Sequence, residues 1–340
     1  MADKHHLLWK AVNGGLIFFA LSSILLQASG TAPAQHVKTD TGDASFRKTT
    51  HTYKTVGKTK IQADVYRAGT TQKKPGVVWI HGGALILGSR SGVPKELLHT
   101  CRADDLVLVS IDYRLAPEVK LPAIIEDLDD FWKWVREEGP KLFAIDPNKL
   151  VVAGGSAGGY LTMMAGIRCQ PPPQALVAYW GYGDVDGPCY VQPSEFYRKQ
   201  VPLIAREEAY KAVGREVLSG TGPENQKGRG LFYQYLRQNG LWTKEVTGFD
   251  PATERAKLDP YCPVRNITSA YPPILMIHGT KDEDVPYEES AAMARELARH
   301  KVPHELITIA GAGHGLAGGD KTQVADAHAR ATAFIRKYLK

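Results

Sequence analysis

The chain has 340 residues, 43% of them hydrophobic and 23% charged, with a formal net charge of +6. That is enough for one large core or for two domains. Acids and bases are interspersed, with no basic block and no interleaving of aromatic and basic residues, which argues against a nucleic-acid partner.

In chain order, the first segment reads as a leader rather than as fold. Lys4 and Lys10 precede an apolar run, Leu16 to Leu26, and small residues follow at Ala28-Ser29-Gly30 and Ala32-Pro33-Ala34. This is the layout of a secretory signal peptide over residues 1–34, so an exported, periplasmic or secreted protein is expected. The alternative is a membrane anchor over residues 11–28, for which the apolar run is short. The catalytic domain is expected over residues 35–340, opening on a polar linker, Gln35 to Arg47.

Lys48–Val56 and Ile61–Tyr66 alternate and carry β-branched residues, so two early strands are expected. Gly76–Ile80 reads as a short buried strand ending in His81-Gly82-Gly83-Ala84. A helix over Val93–Arg102 and a strand over Leu106–Ile111 follow. The next helix is expected over Pro122–Glu138, where Ile125, Leu128, Phe131 and Val135 recur at helical spacing. Strands are expected from Leu150, over Ala175–Trp180, from Pro273 to Ile277 and over His304–Ile309. Helices are expected over Tyr287–Lys301 and Thr322–Leu339. Strands alternating with helices predict an α/β fold with a mostly parallel central sheet and helices on both faces. Residues 183–271 break the alternation. This aromatic-rich stretch, with helices expected over Ile204–Leu218 and Gly230–Asn239, reads as a cap-like insertion that either shapes a substrate pocket or decorates the fold.

The chain is organised around Leu150-Val-Val-Ala-Gly-Gly-Ser156-Ala-Gly-Gly-Tyr160. Gly154 to Gly158 matches G-x-S-x-G, between an apolar strand and a helix, where small neighbours permit a strained turn that exposes the Ser156 hydroxyl. A phosphate loop would need a following lysine, and none is present. A serine needs a base. Of the histidines beyond the Pro273 strand, His300 ends a helix, His304 opens a strand and His328 lies within a helix. Only His314 sits in a loop after a strand, flanked by glycines. His278 reads as a hydrogen-bonded packing residue. The base needs a carboxylate. Lys281-Asp282-Glu283-Asp284 follows the Pro273 strand, with Asp282 the nearer acid and Asp284 its competitor. The Ala157 amide could meet a developing oxyanion, and the His81–Ala84 turn could supply further donors. Gly313 to Gly318 also matches G-x-G-x-x-G, but no βαβ unit follows, so a dinucleotide site is rejected. Four widely spaced cysteines contain no C-x-x-C pair, which argues against zinc. No metal and no cofactor is implied.

These motifs together, from the Gly76 strand through Asp112-Tyr-Arg-Leu-Ala-Pro-Glu118 and Pro122-Ala to Val285-Pro286 and Gly-His314-Gly, resemble the hormone-sensitive-lipase-like branch of the α/β-hydrolase esterases. The resemblance implies a triad of Ser156, Asp282 and His314, in that family's chain order, and an oxyanion hole of Gly83, Ala84 and Ala157. It also implies a serine carboxylic ester hydrolase acting on small-molecule esters. The family run is usually His-Gly-Gly-Gly, so Ala84 is a departure. Many relatives form their cap from N-terminal helices, whereas here the long insertion follows the Ala175 strand. Alternatives are a prolyl-oligopeptidase-type peptidase, which would normally carry a propeller domain, a binding protein that has lost the chemistry, and an esterase on acetylated or feruloylated polysaccharide. Tyr190, Phe196, Tyr197, Phe232, Tyr233, Tyr235 and Trp242 are expected to wall a bounded pocket that favours short acyl groups. If the protein is exported, a Cys189–Cys262 disulfide closing the insertion at its base is expected, with two buried free thiols as the alternative.

Overall fold

The computed structural model describes residues 46–340, so the leader expected over residues 1–34 lies outside the described residues. β1 (Arg47–Val56) and β2 (Thr59–Arg67) pair antiparallel at one edge of the sheet. β3 (Lys74–Ile80), β4 (Val107–Ile111), β5 (Ile145–Gly155), β6 (Ala175–Tyr179), β7 (Ile274–Gly279) and β8 (His304–Ile309) run parallel to one another. The eight-stranded order is β1-β2-β4-β3-β5-β6-β7-β8.

The inner strands are apolar throughout because both faces are covered. In β3, Val78 and Ile80 join the core on one face, while Val77 and Trp79 join the core on the other. The first face carries α2 (Leu121–Glu137), the short α3 (Gly139–Leu142), α4 (Ala157–Arg168) and α10 (Tyr287–Arg299). The second carries α1 (Lys95–Ala103) and α11 (Lys321–Leu339). α11 buries Ala327, Ala331, Ile335 and Leu339 at a four-residue repeat, and the Asp320 side chain caps it by accepting from the amides of Thr322 and Gln323. No helix among the described residues is long and apolar enough to cross a membrane.

The insertion contains α5 (Pro188–Val191), α6 (Glu195–Gln200), α7 (Arg206–Tyr210), α8 (Pro223–Asn239) and α9 (Trp242–Thr247). Two expectations are corrected here. The helix expected over Ile204–Leu218 ends at Tyr210, because the following backbone serves neighbouring loops instead. The Gly214 amide, at φ +81, donates to Glu118 Oε1 at 2.9 Å, the Leu218 carbonyl accepts from Leu115 at 2.8 Å, and the Thr221 amide donates to Gly88 at 2.8 Å. The helix expected over Gly230–Asn239 begins earlier, at Pro223, a residue suited to a first turn.

The Cys189–Cys262 bridge is absent, since all four cysteines are free. The buried Cys262 thiol donates to the Leu258 carbonyl at 3.3 Å and to Asp184 Oδ1 at 3.4 Å. Burial pushes the Cys189 thiol up to about 12. The base of the insertion is closed by other means. The Val264 amide donates to the Gly183 carbonyl at 3.0 Å, and Arg265 pairs with Asp184 at 2.9 Å and with Asp259 at 2.7 Å.

Candidate active site

The residues singled out in the sequence lie on loops that leave the carboxyl ends of parallel strands, where open α/β sheets gather ligands. Gly83 and Ala84 follow β3, Ser156 joins β5 to α4, Asp282 follows β7 and His314 follows β8. Ser156 is held at φ +57, ψ −121, a conformation that costs a non-glycine residue of order 1–3 kcal/mol. The turn closes only because Gly158 has no side chain: a Cβ there would lie 2.0 Å from the Ile80 carbonyl oxygen.

Ser156 Oγ donates to His314 Nε2 at 3.1 Å, and His314 Nδ1 donates to Asp282 Oδ2 at 2.8 Å. The proton is assigned to Nδ1 because a carboxylate can only accept. Asp282 Oδ1 accepts from the amides of Asp284 at 3.0 Å and Val285 at 2.8 Å. Burial would raise the Asp282 carboxyl, but hydrogen bonds from His278 and His314 outweigh it and hold the group well below the usual carboxylate range. Burial likewise opposes charge on His314, but the Asp284 charge and the bond to Asp282 lift it above its ordinary 6.5.

Three features escaped the sequence reading. His278 does more than pack: its Nε2 lies 3.3 Å from Asp282 Oδ2 and donates to the Val285 carbonyl at 2.9 Å, while Nδ1 accepts from Ser290 at 2.7 Å. Trp180, at φ +37, stands edge-on to His314 with ring centroids 6.3 Å apart. Its indole covers Gly155, where an added Cβ would meet it at 3.4 Å. Asp284, the competitor of Asp282 for the acid role, is gripped by the insertion. It pairs with Arg237 at 2.6 Å and sits 3.5 Å from His314 Nε2. The sequence signal for Trp180 was its place at the end of β6, beside the serine strand. Asp284 itself was singled out as a competing acid, but its partners carried no signal because they lie far away in the insertion.

The turn after β3 is strained and well tied. Gly83 stands at φ +113, where a Cβ would lie 2.0 Å from the Leu87 carbonyl oxygen. Ala84 stands at φ +55. The Ala84 carbonyl accepts from Trp242 Nε1 at 3.1 Å, and the Ile86 carbonyl accepts from Arg229 Nε at 2.6 Å. Among the described residues, no hydrogen bond leaves the amides of Gly83, Ala84 or Ala157. Amides left free in this way are the kind of donor an oxyanion hole uses, and Ser156 beside them is largely buried, 7% exposed. Of the aromatic residues expected to wall the pocket, Tyr190, Phe232 and Trp242 are buried in the core, whereas the hydroxyls of Tyr197 and Tyr233 reach Asp284.

One group of metal-ligand type exists among the described residues, Asp184, Asp186 and Cys262, with ligand atoms within 4.8 Å of one another. Arg265 pairs with both carboxylates and Arg255 meets Asp186 at 2.9 Å, so guanidinium groups already supply the positive charge there.

Residues 77–318 match the model of a family described by its α/β-hydrolase fold. The chain belongs to the hormone-sensitive-lipase-like α/β hydrolases. The chain is 28% identical over 257 residues to Esterase LipC of Mycobacterium tuberculosis, covering 74% of this chain and 56% of that protein. It is 27% identical over 305 residues to a non-reducing polyketide synthase of Stereocaulon alpinum, covering 79% of this chain and 12% of the synthase. The chain thus spans about half of one of these curated relatives and a small part of the other. Its fold also resembles that of a hyperthermophilic esterase from Pyrobaculum calidifontis, with a TM-score of 0.61, 25% identity, and coverage of 86% of this chain and 83% of that one.

Proposed function

We propose that this hydrolase cleaves carboxylic esters of short acyl groups through an acyl-enzyme on Ser156. The observation that carries the reading is the unbroken relay from Ser156 Oγ through both nitrogens of His314 to Asp282, at 3.1 Å and 2.8 Å. Ser156 Oγ attacks the ester carbonyl as its proton passes to His314 Nε2. The oxyanion is met by the amides of Gly83, Ala84 and Ala157. The imidazolium gives its proton to the leaving alcohol, and water then repeats the sequence to release the acid. Asp282 keeps the ring in the right tautomer and stabilises its cation.

The esterase names of two relatives support the ester as substrate. Short acyl groups are supported by how firmly the insertion is fixed. Arg229, fully buried, bonds the Ile86 and Ala116 carbonyls and Glu118, a poor basis for a swinging lipase lid. The Ala84 methyl, where glycine is usual in the family, narrows the same side. The leader is read as a cleaved export signal, with an anchor over residues 11–28 as the alternative. The intact mass of protein recovered from the periplasm separates the two. The deciding experiment measures kcat/KM across p-nitrophenyl esters from acetate to palmitate. Acetate to butyrate are expected to lead, and faster turnover of palmitate or a rate jump above its solubility limit would overturn the chain-length reading.

A further inference from the structure

The loop after β7 carries a second carboxylate that the relay does not use. Asp284 Oδ1 accepts from Tyr197 Oη at 2.9 Å, from Arg237 Nη1 at 2.6 Å and from Tyr233 Oη. The other oxygen, Oδ2, takes none of these bonds and lies 3.5 Å from His314 Nε2, the nitrogen that also meets Ser156 Oγ. The side chains of His314 and Asp284 are 16% and 15% exposed, so each keeps a small face open.

The position of Oδ2 says which half of an ester it meets. Protonated Nε2 must come within about 3 Å of the leaving alcohol oxygen to pass on its proton. A group beside the same nitrogen therefore stands on the alcohol side of the scissile bond, not the acyl side. An ionised carboxylate in a mostly desolvated place favours a ligand that offers it a hydrogen.

Two kinds of donor fit in principle, an ammonium and a hydroxyl, and Arg237 decides between them. Its guanidinium is 1% exposed, paired with Asp284 and enclosed by the rings of Tyr190, Tyr197 and Tyr233 at 5.4, 4.9 and 5.6 Å. The Arg237–Asp284 pair is neutral overall, so a cationic alcohol gains no net attraction and meets a nearby positive charge. A neutral hydroxyl needs only the free lone pairs of Oδ2.

We propose that Asp284 Oδ2 binds a hydroxyl group on the alcohol half of the substrate, so that the preferred substrates are short-chain esters of a polyol with a free hydroxyl on the carbon next to the ester-bearing carbon. This rests on the ester-hydrolase reading above. Asp284 is then a substrate-binding residue that selects the leaving group, and Tyr197, Tyr233 and Arg237 position it. The clamp also sets the result of an amide replacement. In Asp284→Asn the three donors hold the amide oxygen in the Oδ1 place, so the NH₂ group falls where Oδ2 was and a donor replaces the acceptor.

The test uses two esters of equal size, 2-hydroxyethyl acetate and propyl acetate, which differ by a hydroxyl in place of a methyl. p-Nitrophenyl acetate serves as the control for ester hydrolysis. The wild-type protein is expected to favour the hydroxyethyl ester by about tenfold or more in kcat/KM, the usual scale for a hydrogen bond to a charged group. Folded Asp284→Asn is expected to lose that preference. Glycerol 1-acetate and a monoacetylated methyl xyloside, assayed in both proteins, tell an open-chain polyol from a ring by which loses more in the variant. A wild-type ratio within about twofold of unity, with p-nitrophenyl acetate still cleaved, overturns the proposal and leaves the esterase reading standing. A folded variant that slows both small esters equally shows a structural role only and also overturns it. Failure of the wild type on p-nitrophenyl acetate removes the esterase reading, and this proposal with it.

Discussion

The strand-end loops and the insertion fix their shape by different means. Around the relay, strain sits in the backbone: Ala84, Leu85, Ser156, Trp180 and Leu316 all hold positive φ without being glycine. Within residues 183–271 only glycines do so, at Gly214, Gly240 and Gly248. The insertion instead buries polar side chains, with Arg229 at 0%, Arg237 at 1% and Gln238 at 0% exposure. Strained backbone persists only where its surroundings over-determine it, and a sheet with both faces covered supplies that rigidity. The insertion is held instead by charge pairs and hydrogen bonds made by the buried Arg229, Arg237 and Gln238 side chains of α8. Damage to the loops should therefore appear as lost rate, and damage to the insertion as lost stability and selectivity.

The sharpest way to break this contrast is at Ser156. Ser156→Ala is expected to lower kcat by about 10⁴ or more while circular dichroism stays unchanged. More than a tenth of the wild-type rate in a folded variant would remove the serine from the mechanism. The matching test in the insertion is Arg229→Met, which leaves the 5%-exposed Glu118 side chain without its charge partner. A loss of about 3–5 kcal/mol is expected, with Tm falling by roughly ten degrees, and adding Glu118→Gln should recover part of it. A thermal melt that does not move would refute the view that buried charge holds the insertion.

The pH dependence joins the two regions. His314 acts as base only when neutral; burial opposes its charge, as Arg237 does more weakly, but Asp284 and then Asp282 raise its pKa above 6.5. Activity should thus rise with pH and reach half its plateau above pH 6.5. Asp284→Asn should move that limb to lower pH, and a profile flat from about pH 5 to 8 would exclude this base. The smallest effect is expected at Glu289, whose carboxyl is pushed up to about 7 by burial and then by Asp184. Its folded pKa lies above the unfolded value, so the native state loses stability as pH rises through this range. Glu289→Gln should raise Tm by a few degrees at about pH 8 and by almost nothing near pH 4. An equal gain at both pH values would mean that the charge is not the cause.

Much of the sheet was legible because its signals are local. Apolar runs such as Val77–Ile80 and Val151–Ala153 are covered on both faces, and the Gly-rich serine turn lies between a strand and a helix. Asp282 and His314 could be selected because each closely follows a strand. The insertion was less legible because its buried stripe does not look apolar. In α8 the buried positions run Arg229, Phe232, Leu236, Arg237 and Gln238, so hydrophobic periodicity begins about two turns late and the helix start was missed. The Asp284 clamp was invisible for another reason. Its three partners sit 47 to 87 residues away in sequence, and no short-range pattern links them.

The bonds from Trp242 to the Ala84 carbonyl and from Arg229 to the Ile86 carbonyl also bear on inheritance and redesign. The insertion can be exchanged between relatives only together with the turn after β3, since each supplies the other's hydrogen-bond partners. A chimera that takes a foreign insertion alone strands two backbone carbonyls beside the proposed oxyanion donors and loses the lock on their geometry. Residues 82–87 and 229–242 therefore form one heritable cassette, and recombination that respects only the linear order of domains will separate what must travel together.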